Sequence, residues 1–295
     1  MNIRKGFAAL LLGTLPVLTG CYKTTRVVQL TAPPSVTRYA TADELISQLN
    51  ARFDAIQSLN TSVLVAASTG GGRQGKVTDY TSLRGYIFMR KPRDLRVLLQ
   101  VPVIGSSAVD IDGDGKQFKM WIPSKNKAIV GTDDLVTKPS ENPLENLRPG
   151  VFFDSMLIGR VEKDQFVTLT EDTRILESQT KHREAVAEPD YDLTVLNDKG
   201  GNVLQPVRVV HISRVTLLPY QQDIYDDMGR VTTRATYDNY QTYGEIQFPS
   251  LIMINRPLDE LSLKVTITKL TPNQKMEDDQ FEVTIPMGAT VQTMN

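Results

Sequence analysis

One cysteine, one tryptophan and two histidines are all that this 295-residue chain holds of the residues most used for cross-linking and metal chemistry. With a single cysteine no intramolecular disulfide can form, so stability must come from packing. His182 and His211 are too far apart in sequence for a His-x-x-x-His or His-Glu-x-x-His pair, so no zinc site is expected. No Gly-x-Ser-x-Gly elbow is present, and Gly70-Gly71-Gly72-Arg73 lacks the lysine and following helix of a phosphate loop. The acid pairs Asp133-Asp134 and Asp226-Asp227 lie in turn-like sequence, where adjacent carboxylates are solvated. Taken together, these absences argue against an enzyme and against a cofactor. Positive charge is not in excess either: 33 Lys and Arg stand against 34 Asp and Glu. A nucleic-acid partner, which needs a concentrated basic surface to displace counterions, is therefore not expected. Beyond Leu18 no run approaches the roughly 20 apolar residues of a membrane-spanning helix.

What the chain does have begins at its N-terminus. Arg4 and Lys5 precede a short uncharged segment, Phe7 to Leu18, which reads as a signal peptide over residues 1–20. Leu18-Thr19-Gly20-Cys21 resembles the bacterial lipobox, in which the leader is removed and the cysteine thiol acylated. The resemblance implies a lipid anchor at Cys21. Tyr22 stands where an aspartate would signal inner-membrane retention, which implies the outer membrane, facing the periplasm. Residues 21–40, with Pro33-Pro34 and several threonines, suit an extended spacer.

The folded domain is expected over 41–295. Thr41-Ala42-Asp43-Glu44 has capping-box spacing, and Leu45, Ile46, Leu49, Phe53 and Ile56 follow on one helical face, predicting an amphipathic helix from Ala42 to Gln57. The texture then turns to β-type runs at 61–68, 83–90, 95–101 and 116–122. Gly70-Gly71-Gly72, Lys91-Pro92-Arg93-Asp94, Asp112-Gly113-Asp114-Gly115 and Ser124-Lys125-Asn126 punctuate them as turns. Residues 132–150 read as a loop, and 151–158 as a buried turn or, the favoured reading, a short apolar helix over one mouth of the sheet. Strand patterning resumes at 166–169, breaks across the charged stretch 171–190 and returns from Tyr191 to Ile285. A meandering antiparallel sheet with few helices follows: an α+β chain, mostly antiparallel β.

Gly85-Tyr86-Ile87-Phe88-Met89-Arg90-Lys91-Pro92, Gln100-Val101-Pro102-Val103-Ile104-Gly105, Trp121-Ile122-Pro123 and Gly244-Glu245-Ile246-Gln247-Phe248-Pro249 follow the helix in an order that resembles the LolA/LolB-like lipoprotein carriers. The resemblance implies an unclosed half-barrel whose apolar concave face is covered by helices and receives lipoprotein or lipid acyl chains. It implies no cofactor, and as partners an acyl-bearing ligand, the membrane through the anchor, and a periplasmic carrier protein. An anchored chain matches the LolB-like branch, since LolA-like carriers are soluble. The chain is longer than LolB-like receptors, and an insertion near 132–190 has no counterpart in them.

Several residues become candidates on this reading. Val103 and Ile104, between Pro102 and Gly105, are expected either at the tip of a membrane-contacting loop or turned inward against the core. Tyr86, Phe88, Phe118, Met120 and Trp121 are candidate cavity-lining residues, with alternation placing Phe118 and Met120 on one side and Trp121 on the other. Leu45, Leu49 and Phe53 on the first helix, and Phe152 and Phe153 on the second, are candidate lid residues. Asp110-Ile111-Asp112-Gly113-Asp114-Gly115 resembles the opening of a calcium loop, but the twelfth position is Trp121 rather than an acid, so a hairpin turn is the expected reading. The rival to a lipid carrier is a structural or assembly lipoprotein that uses the same fold for protein contacts, with 132–190 as its docking surface.

Overall fold

The computed structural model describes residues 31–34, 36–133, 143–176 and 185–294. Cys21, His182 and most of the 132–142 stretch lie outside them. In chain order the strands before the second helix are β1 (Thr31–Ala32), β2 (Ser58–Gly71), β3 (Lys76–Asp79), β4 (Leu83–Arg90), β5 (Asp94–Gln100), β6 (Ser107–Gly113), β7 (Gln117–Ile122) and β8 (Lys127–Thr132). After it come β9 (Phe166–Leu176), β10 (Ala185–Asp198), β11 (Leu204–Ser213), β12 (Pro219–Tyr225), β13 (Val231–Tyr243), β14 (Ile246–Arg256), β15 (Leu261–Pro272) and β16 (Thr290–Met294). The helices are α1 (Ala42–Ala55) and α2 (Pro149–Met156).

All sixteen strands join one sheet, in the order β1-β10-β11-β12-β13-β14-β15-β2-β4-β5-β6-β7-β8-β16, with β3 added on β2 and β9 on β10. Every pairing is antiparallel except β1 with β10 and β8 with β16. Most neighbours are consecutive in sequence, as short hairpin turns require. The exceptions are β1 beside β10, β16 beside β8, and β2, which leaves α1 and inserts between β15 and β4 at the centre. Among the described residues the sheet's ends do not pair with each other, so it remains an unclosed half-barrel with its inner face under the two helices.

The expected elements fall close to their places. Thr41 caps α1: its hydroxyl accepts from the Glu44 backbone N–H at 3.3 Å while the Glu44 carboxylate accepts from the Thr41 N–H at 2.8 Å. The helix ends at Ala55, two residues before the expected Gln57. The predicted break across 171–190 is corrected. Glu171 to Leu176 continue β9, and Ala185 to Asp190 begin β10, paired residue for residue from Val186↔Leu176 to Asp190↔Asp172. Charge misled the pattern here, because β9 is a solvent-facing outer strand whose side chains need no apolar alternation.

Two apolar clusters line the inner face. The larger gathers Ile87, Met89, Leu95, Val97, Ile111, Phe118 and Met120 from the central strands around Phe152, Phe153 and Met156 of α2. The smaller packs Leu45 and Leu49 of α1 against Tyr191, Leu193 and Val195 of β10 and Val210 and Ile212 of β11. Behind β5 to β7, the outer face is crossed by the chain after β15. There the Val283 N–H donates to Asp112 at 2.6 Å, and Arg96 donates to the Gln280 carbonyl at 3.3 Å.

Candidate functional site

Where the two clusters meet, the inner face is not filled. A cavity of about 390 Å³ lies between α1, the end of α2 and the β13–β14 hairpin. Leu49, Phe53 and Ile56 form its roof, Met156, Leu157 and Ile158 one wall, and Tyr237, Tyr240, Ile246 and Phe248 the floor. Ile158 touches both clusters, which locates the cavity at their seam. Its polar residues, Gln48, Arg52, Glu245 and Gln247, gather at the gap between the α1 surface and the hairpin tip and mark the mouth. This combination of an apolar interior with a few polar groups at the entrance is the usual form of a small-molecule site.

The roof is fastened at both of its edges. The Asn50 side chain donates to the Val161 carbonyl at 3.3 Å and accepts from its N–H at 2.9 Å. Arg52 donates to Gln247 across the mouth at 3.3 Å. The Lys91 ammonium stands 3.6 Å from the Phe53 ring centre and donates to the Phe53 carbonyl at 2.5 Å. These are contacts of polar side chains at the rim, each worth far less than a packed helix face. In the floor, Tyr240 donates to the Pro219 carbonyl at 2.7 Å, and burial raises its pKa. Burial raises that of Tyr237 as well. Gln222 lies beside the Tyr237 hydroxyl but donates to the Asp154 carbonyl at 2.5 Å, leaving the hydroxyl without a hydrogen bond of its own.

The candidate lid residues all reach this region or its flanks. Leu49 and Phe53 line the cavity; Leu45 sits deeper under α1, and Phe152 and Phe153 are buried in the larger cluster. The five candidate lining residues divide by alternation. Phe118 and Met120 face inward and are buried, packed in the core away from the cavity. Tyr86 and Phe88 point to the outer face, stacked with ring centres 6.0 Å apart, and Trp121 shares that face on β7 opposite Asp110. Sequence reasoning missed Tyr237, Tyr240, Ile246 and Phe248, although the 244–249 stretch is among the motifs that carry the resemblance. Their burial depends on α1 crossing a hairpin nearly 200 residues away. Val103 and Ile104 stand at the tip of the β5–β6 turn, 107% and 76% exposed relative to an extended reference.

A second cavity of about 710 Å³ lies between β6–β8 and the C-terminal segment, with Phe118 at its edge. Its walls carry Arg90, Asp94, Asp112, Asp278 and Glu282, so it offers no continuous apolar wall. The calcium-like stretch is accounted for separately. Asp110 forms a two-point pair with Arg96 at 2.8 and 3.0 Å, Asp112 accepts from the Lys119 N–H at 3.0 Å, and Asp114 accepts from the Lys116 and Gln117 N–H groups at 2.8 Å. Those carboxylates face different partners and form a hairpin.

On the outer face of β10–β12, ligand atoms of Asp190, Asp192 and His211 come within 4.8 Å of one another. The His211 Nδ1 lies 2.5 Å from Asp192 Oδ1, a direct hydrogen bond with no space between the two atoms. Arg234 pairs with Asp223 at 2.8 Å and Arg174 with Glu188 at 2.9 Å. The group is an ion-pair network. Burial works against charging His211, but Asp223 and Asp192 outweigh it and its pKa rises. Burial likewise opposes ionising Asp223, yet hydrogen bonds from Arg234 and His211 lower its pKa to about 2.

No protein-family model matches the sequence, and no curated protein matches it. Solved structures do match. A LolA superfamily protein from Nitrosomonas europaea superposes with a TM-score of 0.50 at 14% identity, covering 83% of this chain and 99% of that one. The chain shares its fold with the LolA superfamily. A DUF1329 family protein from Desulfovibrio piger superposes equally well, with a TM-score of 0.50 at 15% identity over 81% of this chain and 94% of the other. At such identities the LolA-like likeness concerns architecture: one large open antiparallel sheet under few helices.

Proposed function

We propose that this LolA-like chain is a lipid-anchored protein of the bacterial outer membrane that holds an acyl chain of a lipoprotein or another lipid and assists its transfer to or insertion into that membrane. The observation that carries the reading is the apolar cavity under α1, left open at the seam of two otherwise closed cores. Binding needs no catalytic group. Each acyl CH₂ withdrawn from water contributes about 0.8 kcal/mol, so a chain of several methylenes is retained by burial alone. α1 is the movable cover, because its rim is held by a few polar contacts while α2 is embedded. Acylation at Cys21 fixes the protein as a receptor, the Val103–Ile104 tip meets the bilayer, and a soluble periplasmic carrier is the fitting donor.

The test is to purify the full chain with Cys21→Ser, extract it with organic solvent and identify bound acyl species by mass spectrometry. A fluorescent fatty-acyl probe is then titrated against it and against Ala51→Trp, which fills the mouth from an exposed helix position. The expected result is co-purifying lipid and probe binding that falls at least tenfold in Ala51→Trp with an unchanged melting temperature. An empty protein indifferent to the probe would favour the structural lipoprotein that uses this fold for protein contacts.

A further inference from the structure

Strand direction alternates along the antiparallel path, so every second turn leaves the sheet at the same end. The β5–β6 turn, the β12–β13 turn and the β7–β8 turn share one such end. The 286–289 segment joins them, since β16 runs parallel to β8 and enters from the same side, with the Thr290 N–H bonded to the Asn126 carbonyl at 2.9 Å. At this end four apolar side chains are almost wholly in solvent: Val103, Ile104, Met228 at 78% and Met287 at 104%.

Each tip is built rather than frayed. The Gly105 N–H bonds the Val101 carbonyl at 3.0 Å, Gly229 bonds Asp226 at 2.9 Å, and Ala289 bonds Pro286 at 3.2 Å. Val103 has φ of 72°, a left-handed conformation that costs a β-branched residue roughly 1–2 kcal/mol. Its turn is closed by the Ile104 N–H donating to the Pro102 carbonyl at 2.9 Å, so the tip is held with the Val103 side chain in water.

We propose that these tips together form a docking rim for a lipid surface, extending the single-loop contact of the proposed function to the whole end of the half-barrel. The inference rests on that reading for its occupant. The turns carrying Val103 and Met228 are separated by several intervening strands, so they present no contiguous patch to a folded protein, whereas a headgroup layer admits each one independently. Charge beside Met228 is balanced, Lys199 and Arg230 against Asp226 and Asp227, and Lys125 of the β7–β8 turn is paired with Glu145, so attachment is apolar and survives salt.

The mouth residues Glu245 and Gln247 belong to the opposite end, where β13 turns into β14. A protein resting on its rim therefore turns the mouth away from the bilayer, toward an incoming donor. The chain enters at that far end too, with Thr31 paired to Ala185 at the start of β10. Ten residue steps separate Cys21 from Thr31, about 36 Å at full extension. β10 is about 44 Å long along the strand, or about 34 Å in height at the roughly 40° tilt of barrel strands, so a fully extended spacer just returns to the rim.

The experiment uses the full chain with Cys21→Ser, which removes its only thiol. Val103→Cys, Met228→Cys, Met287→Cys and Glu245→Cys are made singly, labelled with an environment-sensitive nitrobenzoxadiazole dye and mixed with phosphatidylethanolamine–phosphatidylglycerol vesicles. The expected result is a blue shift at 103, 228 and 287, unchanged in 0.5 M salt, and none at 245. A shift at 103 alone overturns the rim and leaves the single-loop contact standing. Shifts at no position, with acyl-probe binding intact, overturn the rim and the loop contact but not the cavity. An equal shift at 245 overturns the orientation and with it the proposal.

Discussion

Two helices cover one sheet, and they cover it in different ways. α2 is only eight residues long, yet Val151, Phe152, Phe153 and Met156 are all buried, so apolar side chains surround it. α1 has fourteen residues and buries two, Leu45 and Leu49; the rest of its inner stripe hangs over the cavity. The short helix is a plug that belongs to the core, and the long one is a cover laid across a gap. The distinction matters for function, because a cover can lift without unmaking the fold and a plug cannot. Low local stability is what a binding lid requires.

The largest effect should come from attacking the plug. Phe152→Ala removes a fully buried ring and leaves a cavity, so a loss of about 3–5 kcal/mol is expected in urea denaturation. Phe53→Ala, on the cover, is expected to cost about 1 kcal/mol, since the ring is half-buried and also loses the Lys91 contact. Its effect should appear instead in weaker acyl-probe binding. Equal destabilisation by the two variants would erase the difference between plug and cover.

Next in size is Tyr237→Phe. The hydroxyl is buried without a hydrogen bond, and such a group costs about 1–3 kcal/mol. Its removal should raise the melting temperature of the empty protein. If the bound ligand supplies a polar group to this hydroxyl, the same variant also loses probe affinity, which calorimetry on a carboxylate-headed and an alcohol-headed probe separates.

Thr41→Ala sharpens the comparison at smaller scale. Removing the cap should cost about 1 kcal/mol and raise amide exchange along α1 while leaving α2 unchanged. Exchange rising equally in both helices would mean that they open as one unit.

How far the sequence foretold this arrangement differs between the same two regions. α1 was legible apart from its last two expected residues, because its capping box and 3.6-residue stripe are local signals, and the central hairpins were legible through their turn residues. The cavity was not. Its floor comes from β13 and β14, and whether Phe248 or Phe118 faces a void depends on what lies opposite, which alternation alone cannot tell. Phe118 and Trp121 were separated correctly by the period of two, but the side that is inner is set by where α2 packs. The outer strand β9 was cut short in the reading for a related reason: a half-barrel's outermost strand answers to solvent rather than to a core.

The comparison extends to the outer faces, and pH distinguishes them. Behind β5–β7 the C-terminal segment covers the sheet; behind β10–β12, on the face opposite α1, stands the network of His211, Asp192, Asp223 and Arg234. His211 has its pKa raised in the folded state, so its contribution is complete below its unfolded value of about 6.5 and is lost as pH rises through the folded value. Asp223 behaves oppositely: its contribution is present above about 4 and is lost as pH falls toward about 2. Between pH 6 and 9 only the histidine changes charge among these two, and stability should decline on the alkaline side. His211→Gln should flatten that decline, read as melting temperature against pH. Because β10 and β11 also carry the apolar seat of Leu45 and Leu49, the loss should loosen α1 before α2. Amide exchange at pH 6 and pH 9 tests this, and a uniform response in both helices would show that the outer network does not act on the cover.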